Sequence, residues 1–576
     1  MVNLVIDNQR IEVKKGTTVL EAARKNGIYI PTLCYDEDLL PYGGCRLCIV
    51  EVEGMDRPQP SCTLPVQNGM RVKTNTRKLN QLRRFILSLI LTEHPIGCLV
   101  CEKREGCGGY QDCIQKTPIT AGCVFCPKNG SCELQKVFDY LKLKSIPHPN
   151  RYRNLEKEVE DPFFERDYNL CILCGRCVRA CEERSGARVL TFYHRGPETR
   201  VGTGYHLSHL EAGCLFCGAC VDACPTGALS ERFSRWQSPE EEINSTCLLC
   251  SLGCAITLKV KEKQIVSVSP RKELLCVRGR FALPQFVHSP KRTLYPMVKR
   301  DTRMVIVSWP EAIEQAVSIL EANRNRSALV LGSDLTDEAI RSGLKVARRF
   351  GMIVATPDPL RCRPIRIDAP LILVVNLDLI SDFFPLYQRI GGRPVILIDP
   401  FPNRLGEKAQ IWIRPRPGRE LSVLEKLFKG RSKDPALSEA QELIRNYERG
   451  VILHPPELKP PKFKSFTPFP IFRGANLLGL QKIRGLVDYQ SVLKNRGIRC
   501  LYLIGVKPEA INRTIIYQNP FLLDQKPDLF LPATTFAETG GTVTDIFGKR
   551  HRLKPAIPPL GQARADVSIL DEIYER

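Results

Sequence analysis

Residues 170–183 read LCILCGRCVRACEE and residues 213–229 read GCLFCGACVDACPTGAL. Each writes C-x2-C-x2-C-x3-C, as Cys171/Cys174/Cys177/Cys181 and as Cys214/Cys217/Cys220/Cys224, and Pro225 follows the second run directly. Working outward, cysteine is the loudest signal in the chain. There are 25 among 576 residues, and all but Cys362 and Cys500 lie within residues 1–276. The opening MVNLVIDNQRIEV has no basic-then-apolar leader pattern, so a cytoplasmic location is expected. Cytosolic chains rarely keep disulfides, and cysteines at these spacings are better read as thiolate ligands.

The paired run resembles the bacterial two-cluster ferredoxin signature. That resemblance implies two [4Fe–4S] clusters with an exchange, because the fourth cysteine of each run serves the other cluster. Cys171, Cys174, Cys177 and Cys224 are then one ligand set, and Cys181, Cys214, Cys217 and Cys220 the other. Zinc would not demand a paired, swapped arrangement.

Upstream, two short alternating runs, 2–6 and 10–14, predict a hairpin. Thr18-x-x-Glu21 then makes a capping box for a short helix that Gly27 can end and Pro31 cannot continue. Cys34, Cys45, Cys48 and Cys62 follow, spaced C-x10-C-x2-C-x13-C. The unit resembles a β-grasp [2Fe–2S] ferredoxin domain with a longer first gap than the plant-type pattern. Gly43 and Gly44 suit a backbone that must bend tightly around sulfide. A zinc site is the plainer alternative.

Residues 76–93, TRKLNQLRRFILSLILTE, carry Leu79, Leu82, Phe85, Ile86 and Leu89 at helical spacing, and Pro95 bounds the helix. His94 then stands at its end and opens H-x3-C-x2-C-x5-C, giving His94, Cys98, Cys101 and Cys107 as three thiolates and an imidazole. The C-x2-C-x5-C spacing repeats at Cys123, Cys126 and Cys132, without a preceding histidine. Cys113 remains after every other set is filled, so Cys113, Cys123, Cys126 and Cys132 form one further complete set. Two [4Fe–4S] clusters, one of them replaced by zinc, or one empty copy all remain open. The tail CELQ (132–135) also resembles the ending of the His-cluster motif of the large iron–sulfur subunit family of respiratory complex I more than CGGY (107–110) does.

Finally, Cys247, Cys250, Cys254 and Cys276, spaced C-x2-C-x3-C-x21-C, look like the [4Fe–4S] motif opening molybdopterin-type oxidoreductases. Taken in order, the motifs resemble the large iron–sulfur subunit of respiratory complex I and its soluble relatives, NAD-linked hydrogenases and formate dehydrogenases. LYPMVKRD, SWPEAIEQAVSIL and LPATTFAETGGTVTDIFGKR, all beyond residue 290, look like landmarks of the molybdopterin-oxidoreductase scaffold. The apolar runs 328–333, 371–376, 394–399 and 501–506, separated by helical stretches, read as an open, doubly wound α/β arrangement. Ser308-x-x-Glu311 caps one of its helices, and residues 454–470, HPPELKPPKFKSFTPFP, read as an irregular connector.

The expected fold class is therefore α+β followed by α/β. Residues 1–75 form the β-grasp [2Fe–2S] ferredoxin domain, 76–150 a His/Cys segment, and 151–235 the two-cluster ferredoxin domain. Residues 240–295 form the molybdopterin-oxidoreductase-type [4Fe–4S] domain and 296–576 a truncated α/β molybdopterin-oxidoreductase-like domain. Cofactors are expected to be one [2Fe–2S] and five [4Fe–4S] clusters. Only 300 residues follow Cys276, and Cys362 is the sole candidate molybdenum or tungsten ligand, so no molybdopterin is expected.

No apolar run reaches membrane-spanning length. The formal charge of +22 is spread along the chain without an aromatic–basic stripe, which argues against nucleic acid. Thiolate-held clusters would also offset much of that charge. A basic surface facing acidic electron carriers or partner subunits is the better reading. No G-x-G-x-x-G or P-loop occurs. The resemblance implies a relay without substrate chemistry of its own. Its partners would be a flavin- and NAD(H)-binding subunit, a small [2Fe–2S] thioredoxin-like subunit and hydrogenase subunits, with ferredoxin as an electron-bifurcation partner. Complex I itself and a catalytic molybdenum or tungsten formate dehydrogenase are the alternatives. An [FeFe] hydrogenase is excluded because Cys362 and Cys500 cannot hold its active-site cluster.

Cys113→Ser tests the count: it should remove one cluster's worth of iron from about 22 atoms per chain, summed over these cluster types. Iron analysis of purified protein reads the outcome, and an unchanged total or stoichiometric zinc would refute the added cluster.

Overall fold

Apolar residues alternate at Val2, Leu4 and Ile6, and all three are buried. β1 (Val2–Ile6) pairs antiparallel with β2 (Gln9–Val13) around Asp7 and Asn8. Both turn residues are left-handed, at φ 44° and 70°, as a two-residue type I′ hairpin turn requires. Thr18 caps α1 (Val19–Lys25): its hydroxyl accepts from the Glu21 amide, and the Glu21 carboxylate accepts from the Thr18 amide at 2.8 Å. β3 (Ile49–Val52), β4 (Gln59–Pro60) and β5 (Arg71–Lys73) complete a five-stranded sheet in the order β2-β1-β5-β3-β4. The sheet wraps the apolar face of α1, where Val19, Leu20, Ala22 and Ala23 are buried.

The structure, a computed structural model, describes the chain except for residues 103–106, 108–122, 124–125, 235–236, 359–363, 366, 431, 462, 472–473, 510–511 and 523–525. It divides into two units, Met1–Ser238 and Pro239–Arg576.

α2 (Arg77–Leu91) is capped by Thr76 and ends just before His94, close to the expected bounds. Its buried face differs from the apolar stripe read in the sequence. Leu79, Arg83, Leu87 and Leu91 face inward, whereas Leu82, Phe85 and Leu89 are exposed. The cause is Arg83, whose Nε donates to the Leu47 carbonyl at 3.1 Å and Nη2 to the Ile49 carbonyl at 2.6 Å. These acceptors belong to the chain on either side of Cys48, and a buried carbonyl without a donor is costly.

The rest of this unit holds α3 (Glu133–Tyr140), β6 (Lys157–Glu158), β7 (Phe164–Asp167), α4 (Arg176–Arg179), β8 (Leu190–Tyr193), β9 (Arg200–Thr203), α5 (Ala219–Ala223) and β10 (Leu229–Glu231). β10, β7 and β6 form an antiparallel sheet, and β8 pairs with β9.

In the second unit, Glu241–Thr246, Ala255–Lys261 and Gln264–Pro270 make an antiparallel sheet that carries the last cysteine motif at its turn. The α/β part places its apolar runs in two sheets, a division the sequence reading did not make. Ser327–Leu331 and Cys500–Ile504 are parallel neighbours in an eight-stranded sheet, while Leu371–Val375 and Val395–Ile398 belong to a separate, all-parallel sheet of five strands. Buried apolar strands read alike wherever they pair, so the runs alone could not divide themselves. The connector is also not wholly irregular: Phe466–Pro470 is an outer strand of the five-stranded sheet, paired parallel to Gly450–His454. Proline is tolerated there because an outer strand leaves some amide positions without a ladder partner. Ser308 caps the helix Trp309–Ala322 as expected.

Arg83→Met should destabilise the N-terminal unit by about 2–3 kcal/mol, the cost of two buried carbonyls losing a charged donor. Denaturant unfolding of the chain reads this. Lys78→Met, on the exposed face of the same helix, should leave the midpoint unchanged.

Candidate metal centres

The loop after α1 gathers Cys34, Cys45, Cys48 and Cys62. Cys34, Cys48 and Cys62 are at most 1% exposed, and the Cys45 amide donates to Cys34 Sγ at 3.4 Å. Arg46, between the close pair, is left-handed at φ 57°, and Gly43 at φ 67°. A Cβ on Gly44 would stand 2.4 Å from the Tyr42 ring. The thiols fall into two touching pairs. The Cys45 thiol donates to Cys34 and holds it down to about 5, while that bond pushes Cys45 itself up. The Cys62 thiol likewise holds Cys48 down to about 7 and is itself raised. Four buried sulfurs this close cannot all ionise without cations among them, which fits a cluster-binding set.

The two ferredoxin-like runs fold as copies. Leu173 and Phe216, each just before the second cysteine of its run, are left-handed at φ 51° and 48°. Gly175 and Gly218, at φ 73° and 78°, then lead into α4 and α5. Cys171, Cys174, Cys177 and Cys224 line one cavity, with Arg166 and Thr226 also on its wall. Burial, reinforced by the Cys224 charge, pushes Cys171 up to about 11 and Cys177 up to about 12. Burial likewise raises Cys214 to about 12 and Cys217 to about 11, with Cys181 among the charges acting on both. Cys220 rises well above the usual thiol range, with Cys214, Cys217 and Cys181 as neighbours. The chain therefore brings the cysteines together in the exchanged combination. Amides of Val189 and Phe216 donate to Cys181 Sγ and Cys214 Sγ, each at 3.3 Å.

In the second unit Cys247, Cys250, Cys254 and Cys276 meet where Thr246 ends one strand and Ala255 starts the next. Burial raises Cys250 to about 11 and Cys254 well above its usual value, and Cys276 adds its charge to both. Gly253 is left-handed at φ 58°, and a Cβ there would lie 2.9 Å from Asp545 Cβ. Cys500 is buried within its strand, where burial raises it to about 12, and Cys362 lies outside the described residues.

His94 is buried, its Nδ1 has no hydrogen-bond partner among the described residues, and burial lowers it to about 4. It is a neutral imidazole with a free nitrogen, as a ligand must be. The cysteines beside it group otherwise than the spacing suggests. Cys123 lies within hydrogen-bonding reach of Cys98, and the charges of Cys126 and Cys132 also act on it. Cys98 of the first copy thus joins the three cysteines of the second. Cys101 and Cys107 are half-buried, and Cys113 lies outside the described residues. Cys132 stands at the start of α3, where the amides of Leu134 and Gln135 favour its thiolate against burial.

Among the described residues no three His, Cys, Asp or Glu side chains converge as closely as one ion requires. A cluster of several iron and sulfide atoms holds its thiolates farther apart. Spacing also gave no sign of the arginines that tie the loops together. Arg176, between two ligand cysteines, donates to the Tyr35 carbonyl and to Glu133, and Arg179 Nη2 donates to the Cys34 carbonyl at 2.5 Å.

A Cβ on Gly227 would lie 2.5 Å from Cys126 Sγ and 3.1 Å from Pro127. Gly227→Ala should therefore displace Cys126 and remove about four iron atoms, the content of one [4Fe–4S] cluster. Metal analysis checks this, and a full complement would show that Cys126 is not a ligand.

Residues 1–77 match the 2Fe-2S iron-sulfur cluster binding domain, 170–228 the 4Fe-4S dicluster domain, 240–289 the molybdopterin oxidoreductase Fe4S4 domain and 457–576 molybdopterin oxidoreductase. The G 2 subunit of NADH-quinone oxidoreductase from Rhizobium meliloti is 32% identical over 69% of the chain and 44% of its own length. The alpha subunit of NADPH-Fe(3+) oxidoreductase from Geobacter sulfurreducens is 32% identical over 56% of the chain and 35% of its own length. The chain thus spans less than half of each of these two relatives. The G subunit of NADH-quinone oxidoreductase from Rickettsia typhi is 23% identical over 100% of the chain and 86% of its own length. Among solved structures, an NAD+-reducing [NiFe]-hydrogenase matches at 28% identity and a TM-score of 0.33, covering 41% of this chain and 90% of its own. With its 2Fe-2S, 4Fe-4S dicluster, Fe4S4 and molybdopterin-oxidoreductase segments in that order, the chain is similar to the G subunits of NADH-quinone oxidoreductases.

Proposed function

We propose that the chain is an iron–sulfur electron-transfer subunit of a soluble cytoplasmic complex, relaying electrons between a flavin- and NAD(H)-binding subunit and a hydrogenase module. The observation that carries this reading is the gathering of buried, unbridged cysteines into four-thiol sets on one chain. Clusters held there supply reversible one-electron chemistry. The chain's own residues hold them apart from water, aim backbone amides at their sulfurs, and fix their spacing. The ligand sets are those gathered above, with His94 and the doubled motif supplying the remaining two sites. The five-segment division of the chain and a total of one [2Fe–2S] and five [4Fe–4S] clusters belong to the same proposal. So do a small [2Fe–2S] thioredoxin-like partner and ferredoxin as a second electron partner in bifurcation. No helix among the described residues is long and apolar enough to cross a membrane.

A cationic cleft beside the last cysteine set supports an acidic partner. Arg271, Lys272, Lys549 and Arg552 line it with Cys254, and none of the four has an ion-pair partner among the described residues. Steering by such a surface favours acidic electron carriers.

A catalytic molybdenum or tungsten enzyme is the second reading, favoured by the molybdopterin oxidoreductase match over residues 457–576. Native purification with metal counting separates the two. The relay predicts iron at about 22 atoms per chain, nickel only with a co-purifying hydrogenase partner, and no molybdenum, tungsten or pterin. NADH should reduce the clusters only when the flavin-binding partner is present. Stoichiometric molybdenum or tungsten, or NADH reduction of the isolated chain, would overturn the relay.

A further inference from the structure

A buried chain of charges runs between the two ferredoxin-like sites, and the relay function as stated makes no use of it. His209 Nδ1 lies 2.7 Å from Asp161 Oδ2, and His209 Nε2 lies 3.1 Å from Arg166 Nη2. Arginine can only donate, so Nε2 accepts and the histidine's proton sits on Nδ1, donated to Asp161. Arg166 Nη1 donates to Glu158 at 3.0 Å and to the Tyr168 hydroxyl at 3.4 Å. The Tyr168 hydroxyl in turn donates to Glu158 at 2.6 Å. Arg166 and His209 are 4% and 6% exposed. Both terminal nitrogens of the guanidinium thus have partners. Its inner nitrogen does not: Nε is buried without a hydrogen-bond partner among the described residues.

Arg166 also lines the cavity of Cys171, Cys174, Cys177 and Cys224. A permanently charged, buried donor without a partner among the described residues, at a wall of four cysteines, points to an acceptor that occupies the cavity when it is filled. The opposite end of the chain has the opposite sign. Asp161 is among the negative charges acting on Cys214, a member of the second set. That set is otherwise embedded in apolar side chains, with Val189, Leu190 and Val201 buried around Cys181. Two other cations stand near the first set. Arg153 acts on Cys171, and Arg176 is already committed to the Tyr35 carbonyl and Glu133. Glu158 partly offsets Arg166, but its side chain is 43% exposed and its charge is screened by water in a way the buried guanidinium's is not.

We propose that Arg166 is a positioning residue. Through its fixed charge and its Nε–H it raises the reduction potential of the cluster on Cys171, Cys174, Cys177 and Cys224 above that of the cluster on Cys181, Cys214, Cys217 and Cys220. A cluster gains negative charge on reduction, so a nearby cation and a donor to its sulfurs both favour the reduced form. Asp161 acts in the opposite direction on the neighbouring cluster. Electrons entering the pair therefore come to rest on the side nearer Cys171, which gives the pair a direction.

The proposal rests on the ligand sets proposed above, and the test separates the two. Full-length chain reconstituted with iron and sulfide is titrated by redox-monitored EPR, alongside Arg166→Gln and Arg166→Lys. A Cys214→Ser background, which removes a ligand of the second cluster, identifies which signal belongs to the first. Arg166→Gln should shift the midpoint of the Cys171-side cluster downward and leave its partner unmoved. Arg166→Lys, which keeps the charge without the Nε–H, should fall between. Pulsed EPR after exchange into deuterated water should show a coupled exchangeable proton on the reduced Cys171-side cluster that both variants lose. Backbone amides near Cys171 and Cys174 contribute exchangeable protons too, so the loss relative to wild type is the readout, and Arg166→Lys supplies it if Arg166→Gln fails to fold. Intact clusters with unchanged midpoints, or equal shifts in both, would overturn the role of Arg166 alone. Absence of paired [4Fe–4S] signals in the wild type would overturn the ligand sets and the proposal with them.

Discussion

One buried guanidinium holds three loops of the first unit in register. Arg176 lies inside the first ferredoxin-like run, between Cys174 and Cys177, and is 5% exposed. It donates through Nε and Nη2 to the carbonyl of Tyr35, the residue after Cys34, and through Nη1 to Glu133, the residue after Cys132. Three cysteine-bearing segments far apart in sequence thus share one planar fork of donors. A guanidinium suits this because its donors diverge in a rigid plane and its charge persists when buried. Arg179, one turn on, repeats the connection at Cys34 itself. The separations between these cysteine-bearing segments are thus anchored through protein hydrogen bonds rather than left to the loops alone.

The cysteines describe a second constraint. Burial raises nearly every thiol in the ferredoxin-like runs and in the second unit's set. A fold that hides sulfur this thoroughly works against its own ligands unless metal supplies the compensating charge. Such sites couple assembly to loading: the folded arrangement is most comfortable when iron is present. Short left-handed steps at Leu173 and Phe216 and backbone amides directed at sulfur prepare the loops for that load.

Local signals read along the chain were legible. Thr18 with Glu21, Ser308 with Glu311, the N-terminal hairpin and the start of α2 all depend on neighbours a few residues apart. The exchange of Cys181 and Cys224 was expected from family resemblance rather than from spacing. Features that depend on what lies across the fold were not legible. Nothing in RRFILSLIL marks Arg83 as the inward residue, because its acceptors lie in another segment. Counting leftover cysteines put Cys98 and Cys123 in different sets, whereas the fold brings them within reach of each other. The four apolar runs of the α/β part carried no mark of belonging to two sheets.

The five-stranded sheet has one further consequence. One of its two outer strands is FTPFP, with Pro468 and Pro470 in the stretch that pairs with Ile452 and His454. Those two positions offer no amide proton on their free side. A second chain approaching to extend the sheet would find its ladder interrupted twice within three residues. The prolines therefore guard that edge of an apolar, all-parallel sheet against pairing with copies of itself, a hazard for any chain that must await its metal.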